Sequence, residues 1–126
     1  MLRQGPISAR LHGLLEYVIG GFFIASPFLF DFDNGIAVAI GIVGGIGLIV
    51  LAATAETGPS LSGMVPVRLH VVFDVLVAAF FVASPFIFGF SDEAAPTALF
   101  IATGVIHLLS TIGTRFLPPP SGATVG

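Results

Sequence analysis

The sequence predicts an all-α membrane protein, a polytopic four-helix bundle made of two tandem parallel helical hairpins. Three observations predict it. A 23-residue stretch is used twice, as RLHGLLEYVIGGFFIASPFLFDF from Arg10 to Phe32 and as RLHVVFDVLVAAFFVASPFIFGF from Arg68 to Phe90, with 11 positions identical at a fixed offset of 58. A match this long in register marks an internal duplication. The mean hydropathy is +1.08, and only 9% of the 126 residues are charged, against about 25% in a soluble domain. Finally, the apolar residues fall into four runs, each close to the about 20 residues that span a bilayer.

Residues 1–9 are a short polar lead in which Gly5-Pro6 breaks any helix and Ser8 can cap the helix that follows. The first span runs from about residue 11 to residue 30. A cleaved signal peptide is the competing reading, but its near-copy at Arg68–Phe90 argues against it. Ser26-Pro27 stands near the far end. Pro27 cannot bond the carbonyl of Phe23, so the helix is expected to kink or loosen there, with Ser26 available to satisfy freed backbone groups. Phe28, Phe30 and Phe32 then read as an aromatic exit through the membrane interface.

Asp31, Asp33, Asn34 and Gly35 form a polar turn, and the second span follows from about residue 36 to residue 55. Its Gly41 and Gly45 make a small-xxx-small pair that admits close helix packing, and Gly20 of the first span, with Ala78 at its repeat position, belongs to the same class of packing residue. The stretch from Glu56 to Pro66 is punctuated by Gly and Pro. Repeat 1 is therefore assigned to residues 1–58, the linker to 59–66 and repeat 2 to 67–116. The spans of repeat 2 run from about 67 to 88, including Ser84-Pro85, and from about 97 to 116, with Pro96 suited to a first helical turn. Residues 117–126, with three consecutive prolines, are expected to be extended and mobile.

Arg3, Arg10, Arg68 and Arg115 all fall at one set of span ends, and Asp31, Asp33, Asp92 and Glu93 at the other. The positive-inside rule then places both termini in the cytoplasm and gives the two halves one orientation, related by an axis along the membrane normal. The net charge of −3 points to no nucleic-acid partner, and the absence of cysteine excludes disulfides and thiolate chemistry.

Two hairpins, each carrying Ser-Pro-aromatic near the outer end of its first helix (Ser26-Pro27-Phe28 and Ser84-Pro85-Phe86), resemble the SPW-repeat family of small bacterial and archaeal membrane proteins. The resemblance covers the chain outside its two tails. It implies the four-span architecture and a bacterial or archaeal cell membrane, and it implies no biochemical activity. This chain departs from the family pattern in placing phenylalanine where the family has tryptophan.

The chemistry lies in five ionisable residues inside the spans. At about 1.5 Å per residue, Glu16 and Asp74 lie roughly 10 Å in, with His12 and His70 one turn shallower on the same helix faces. His107, which aligns with Ile49 at the offset of 58, reaches a similar depth from the fourth span. Such groups are costly in hydrocarbon and should face the bundle interior and pair. One reading is structural, with His12 bonding Glu16 and His70 bonding Asp74. A second is a transition-metal site of His12, Glu16, His70, Asp74 and His107, although the Glu-x-x-His signature of bundle metal sites is absent. A third is bis-His ligation of a haem b, and a fourth is proton-coupled transport through Glu16 and Asp74. Enzyme templates fail, since Ser26 and Ser84 lie toward the opposite side from the histidines. The sequence therefore predicts a non-enzymatic accessory module with no obligatory cofactor. Its partners would be the lipid bilayer and either a second copy or a larger membrane complex, engaged through the glycine-rich second helix and exposed apolar faces.

Overall fold

The computed structural model describes residues 2–118. The order is β1 (Ile7–Ser8), α1 (Ala9–Leu29), α2 (Gly35–Thr54), α3 (Val67–Ile87), α4 (Ala94–Ile112) and β2 (Thr114–Arg115). All four helices are long and apolar enough to cross a membrane. α1 packs mainly on α2 and α3 mainly on α4, so the chain is a pair of hairpins meeting along α2–α3 and α1–α4. The first and last described segments and the linker lie at one end of the bundle (the terminal end), and the two hairpin loops lie at the other (the turn end).

Local chemistry explains the helix limits. Ser8 caps α1 by accepting from the Leu11 N–H at 3.1 Å, and Asn34 caps α2 by accepting from Ile36 and Ala37. α1 runs unbroken through Pro27 to Leu29, because the Ser26 hydroxyl donates to the Phe23 carbonyl that Pro27 leaves free. In α3 the equivalent Ser84 donates instead to the Phe80 carbonyl, one residue earlier. At the turn end the Glu93 carboxylate accepts from the backbone N–H groups of Asp33 (2.8 Å) and Asn34 (2.9 Å), tying the second loop to the first. At the terminal end the linker folds back on α2, where Leu61 and Ser62 donate to the Ala53 carbonyl, and the Glu56 carboxylate accepts from the first N–H of α3.

The small-xxx-small pair of α2 is occupied within the hairpin. Gly41 and Gly45 are buried against α1. A Cβ on Gly45 would lie 2.5 Å from the Gly20 carbonyl oxygen, and one on Gly41 3.2 Å from the Pro27 ring. This corrects the expectation that the Gly41/Gly45 face serves assembly with a partner: the backbone-to-backbone approach it permits has already been made inside the chain. α4 repeats the contact on α3, since a Cβ on Gly104 would lie 2.7 Å from the Ala78 carbonyl oxygen. Gly45→Ala is therefore expected to cost about 1–3 kcal/mol by overpacking, read as a lower melting temperature in detergent, whereas Gly47→Ala, with nothing within 4 Å, leaves it unchanged.

Two further expectations change. α4 starts three residues earlier than the sequence predicts and ends four earlier. Glu93 occupies its N-cap, Pro96 falls in its first turn, and Gly113 closes it by donating to the Leu109 carbonyl. The chain then pairs in parallel with the N-terminal lead, Ile7 opposite Thr114 and Ser8 opposite Arg115. Leu117 and Pro118 are likewise tied down: Leu117 donates to the Leu2 carbonyl, and the Arg3 guanidinium donates to the Pro118 carbonyl. The remainder of the predicted mobile tail, 119–126, lies outside the described residues.

Candidate functional site

The helix α4 sits one residue further along than a constant offset of 58 implies. The buried residues of α2 (Ala37, Gly41, Gly45, Leu48 and Ala52) correspond at an offset of 59 to Pro96, Phe100, Gly104, His107 and Thr111, all buried in α4. The additional residue lies in the second loop, which carries Ser91-Asp92-Glu93 where the first carries Asp33-Asn34. The counterpart of His107 is therefore Leu48 rather than Ile49. Both point inward, and Leu48 is itself fully buried in the apolar core. The same register sets buried Thr111 and Thr114 opposite Ala52 and Ala55, so α4 and the strand after it bring polar groups to the bundle interior where α2 and its C-cap bring alanine.

Three histidines and two carboxylates from α1, α3 and α4 meet in the half of the bundle nearer the termini. His12, Glu16, His70, Asp74 and His107 are each at most 2% exposed. His12 Nε2 lies 3.1 Å from Asp74 Oδ2 and 3.3 Å from Glu16 Oε1. His70 Nε2 lies 3.3 Å from the same aspartate oxygen and 3.4 Å from the same glutamate oxygen. His107 Nε2 stands 3.4 Å from Asp74 Oδ1 and 4.0 Å from Glu16 Oε1. Each histidine faces both acids, so the within-helix pairing anticipated from the i, i+4 spacing is accompanied by cross-pairing between hairpins. Donor atoms of His12, Glu16, His70 and Asp74 all lie within 4.8 Å of one another.

Proximity is not matched by hydrogen bonding. Among these contacts only His12 to Asp74 has hydrogen-bond geometry. Both Glu16 oxygens, Asp74 Oδ1, His107 Nε2 and His70 Nδ1 are buried without a partner. An unsatisfied buried polar atom costs about 1–3 kcal/mol, and more when charged. The side chains are thus aimed at a shared point more than at one another.

The sequence reading missed the hydroxyls behind this shell. Thr114 Oγ1 donates its proton to the Ser110 carbonyl, so it can only accept from His12 Nδ1–H, 3.1 Å away. Ser110 Oγ lies at 3.1 Å from the same nitrogen. His12 thus presents Nδ1–H to the hydroxyls and turns Nε2 toward the acids, as outer-shell partners orient a metal-binding imidazole. Thr111 Oγ1 donates to the His107 carbonyl and lies 3.4 Å from Asp74 Oδ2. The signal that could have found these residues was the cap position: aligning Asn34 with Glu93 instead of extending the 58-residue offset brings Thr111 and Thr114 to the inward face.

Apolar walls close both ends of the cluster. Toward the turn end, Phe23, Phe81 and Phe100 stack with ring centroids 4.7–6.1 Å apart. Beyond them the Ser26 and Ser84 hydroxyls bond their own helix carbonyls. Toward the terminal end, Phe116 lies edge-on to His12, with ring centroids 4.8 Å apart. Tyr17 points away, donating to the Pro59 carbonyl. A nest whose donor atoms are this close suits one ion and leaves no width for a haem plane. A family model described as the SPW repeat domain matches residues 10–114. No curated protein and no solved structure matches the chain.

Proposed function

The chain belongs to the SPW repeat domain family, and from that footing we propose that this small, multi-pass integral membrane protein holds one divalent transition-metal ion between its two hairpins. The observation that carries the reading is the set of N···O separations of 3.3–3.4 Å lacking hydrogen-bond geometry. Two ligands bound at about 2.1 Å and subtending about 90–109° at an ion stand roughly 3.0–3.4 Å apart. Imidazole and carboxylate donors without thiolate suit Fe(II), Mn(II), Co(II) or Zn(II). Glu16 and Asp74 balance the charge of one such ion in a medium where net charge is costly. His12, His70 and His107 supply the nitrogens, and Thr114 fixes the tautomer of the first.

The test is elemental analysis of the full chain, purified in detergent, incubated separately with each ion and dialysed. About one ion per chain is expected, with a Co(II) visible spectrum that His70→Ala removes. Wild-type protein that retains no more metal than His70→Ala ends the proposal. Thr114→Val should lower affinity by about 10–100-fold without unfolding the bundle, as loss of an outer-shell partner does, read by competition with a chelator of known affinity.

Proton-linked transport draws less support, since the apolar stack of Phe23, Phe81 and Phe100 stands between the cluster and the Ser26 and Ser84 hydroxyls, and those hydroxyls are spent on their own helix carbonyls. Attachment to a second copy or a larger membrane complex, with Gly41 and Gly45 already occupied, would use the apolar groove of about 350 Å³ where Ile40, Val43 and Gly44 of α2 face Val77 and Phe80 of α3. A Val43→Trp substitution that leaves the detergent-corrected mass of a purified oligomer unchanged removes that reading. We further read the hairpins as copies of one ancestral hairpin, on the strength of the repeated stretch and the matched buried positions of α2 and α4. The arginine bias supports cytoplasmic termini in a bacterial or archaeal cell membrane.

A further inference from the structure

The cover over the terminal end of the cluster differs from its other walls. It is made of two short pieces of chain, residues 2–8 and 113–118. They are joined by a two-residue parallel ladder, by the bond from Ile7 N–H to the Gly113 carbonyl at 3.0 Å and the bond from Leu117 N–H to the Leu2 carbonyl at 2.8 Å, and by Arg115 donating to the Gly5 carbonyl at 3.0 Å. Phe116 hangs from this clasp. It is buried against Val67 and Val71, with Leu2, Ala9 and Leu117 around it, in a small apolar cluster separate from the aromatic core. Its ring faces those of both His12 and His70.

We propose that this terminal clasp is the door of the metal centre: the ion enters and leaves when residues 2–8 and 113–118 part, and Phe116 is the side chain that shuts it. The proposal rests on the metal reading. The other walls cannot open as cheaply. The helices exchange no backbone bonds with water inside lipid, and the aromatic stack fills the deeper half of the bundle. The clasp lies at a water-facing end, where its few hydrogen bonds can be replaced by solvent, and terminal segments with few apolar contacts open first. Opening has a second consequence. Thr114 and Phe116 ride on the same segment, so parting the ladder withdraws the cover and the hydroxyl that orients His12 in one movement. Access and ligand strength are thereby coupled: the uncovered centre is also the weaker one.

The chain has no cysteine, so a reversible lock can be built without background. Ser8 and Arg115 are register partners, and neighbouring strands about 4.8 Å apart fall within disulfide reach. The experiment follows the rate at which a chelator removes Co(II) from the loaded full chain. The Ser8→Cys/Arg115→Cys protein should release the ion at least about 10-fold more slowly oxidised than reduced. Phe116→Ala should release it at least about 10-fold faster than wild type while still holding about one ion at equilibrium. If Phe116→Ala fails to fold or the disulfide does not form, Phe116→Leu supplies the comparison, with an intermediate acceleration expected. Equal release rates from proteins that all hold one ion overturn the door and leave the metal centre standing. Wild-type protein that binds no ion overturns the metal centre, and the door with it.

Discussion

Asp74→Asn is expected to abolish stoichiometric metal binding, with affinity falling by more than the roughly 100-fold that marks the upper range for outer-shell partners. Asp74 is the acid that each of the three histidines approaches more closely, at 3.1, 3.3 and 3.4 Å, and it is fully buried. Asparagine keeps its size while removing the negative charge and one acceptor oxygen. An ion at the shared point would then keep only Glu16 to balance two positive charges in a low-dielectric interior. Asp33→Asn is the control. It removes a carboxylate from the exposed turn end and should leave binding unchanged. Isothermal titration with Zn(II) or Co(II) checks both variants. Binding retained by Asp74→Asn to within a few-fold would locate any bound metal elsewhere in the molecule.

How much of this centre is legible in the sequence depends on the distance over which each interaction acts. The pairs His12–Glu16 and His70–Asp74 are visible at once, because i, i+4 spacing puts two side chains on one helix face whatever the tertiary structure. Their burial follows from the cost of leaving them in lipid. That each histidine would also reach the acid of the other hairpin depends on how α1 and α3 face one another, which no local pattern specifies. His107 is visible as an intramembrane histidine, yet its partner position is misread: the alignment is gapless only as far as Phe90, and one additional loop residue then shifts all of α4. Thr111 and Thr114 are harder still. In a membrane helix a threonine commonly bonds a carbonyl one turn back; Thr111 does so within α4, and Thr114, just past its end, still donates to the Ser110 carbonyl. Their second contacts, to Asp74 and His12, appear only once the interior is assembled. By hydropathy Phe116 reads as the last residue of a span. Gly113 ends the helix first, and the polar lead, which carries no hydropathy signal, provides the strand that folds Phe116 over the histidines.

The second large effect separates an ion centre from a set of charges retained for stability. Asp74→Leu alone is expected to destabilise the metal-free protein by about 3–5 kcal/mol, since it leaves buried histidines facing only Glu16 and removes one partner of a desolvated network. Replacing all five residues together (His12→Leu, Glu16→Met, His70→Leu, Asp74→Leu and His107→Leu) should behave differently. Buried ionic groups exchanged as a set for apolar residues of similar volume are commonly neutral or stabilising by about 1–4 kcal/mol. Here the set also carries the unpartnered atoms of Glu16, His70, Asp74 and His107, each an energetic burden that the exchange relieves. The five-fold variant should therefore unfold in denaturing detergent no earlier than the metal-free wild type, and bind no metal. A cluster whose complete removal leaves the fold intact, and whose partial removal damages it, is held in place by something other than the stability of the apoprotein. A five-fold variant that fails to fold while Asp74→Leu folds well would instead make the polar network the glue between the hairpins, and the metal centre would lose its strongest argument.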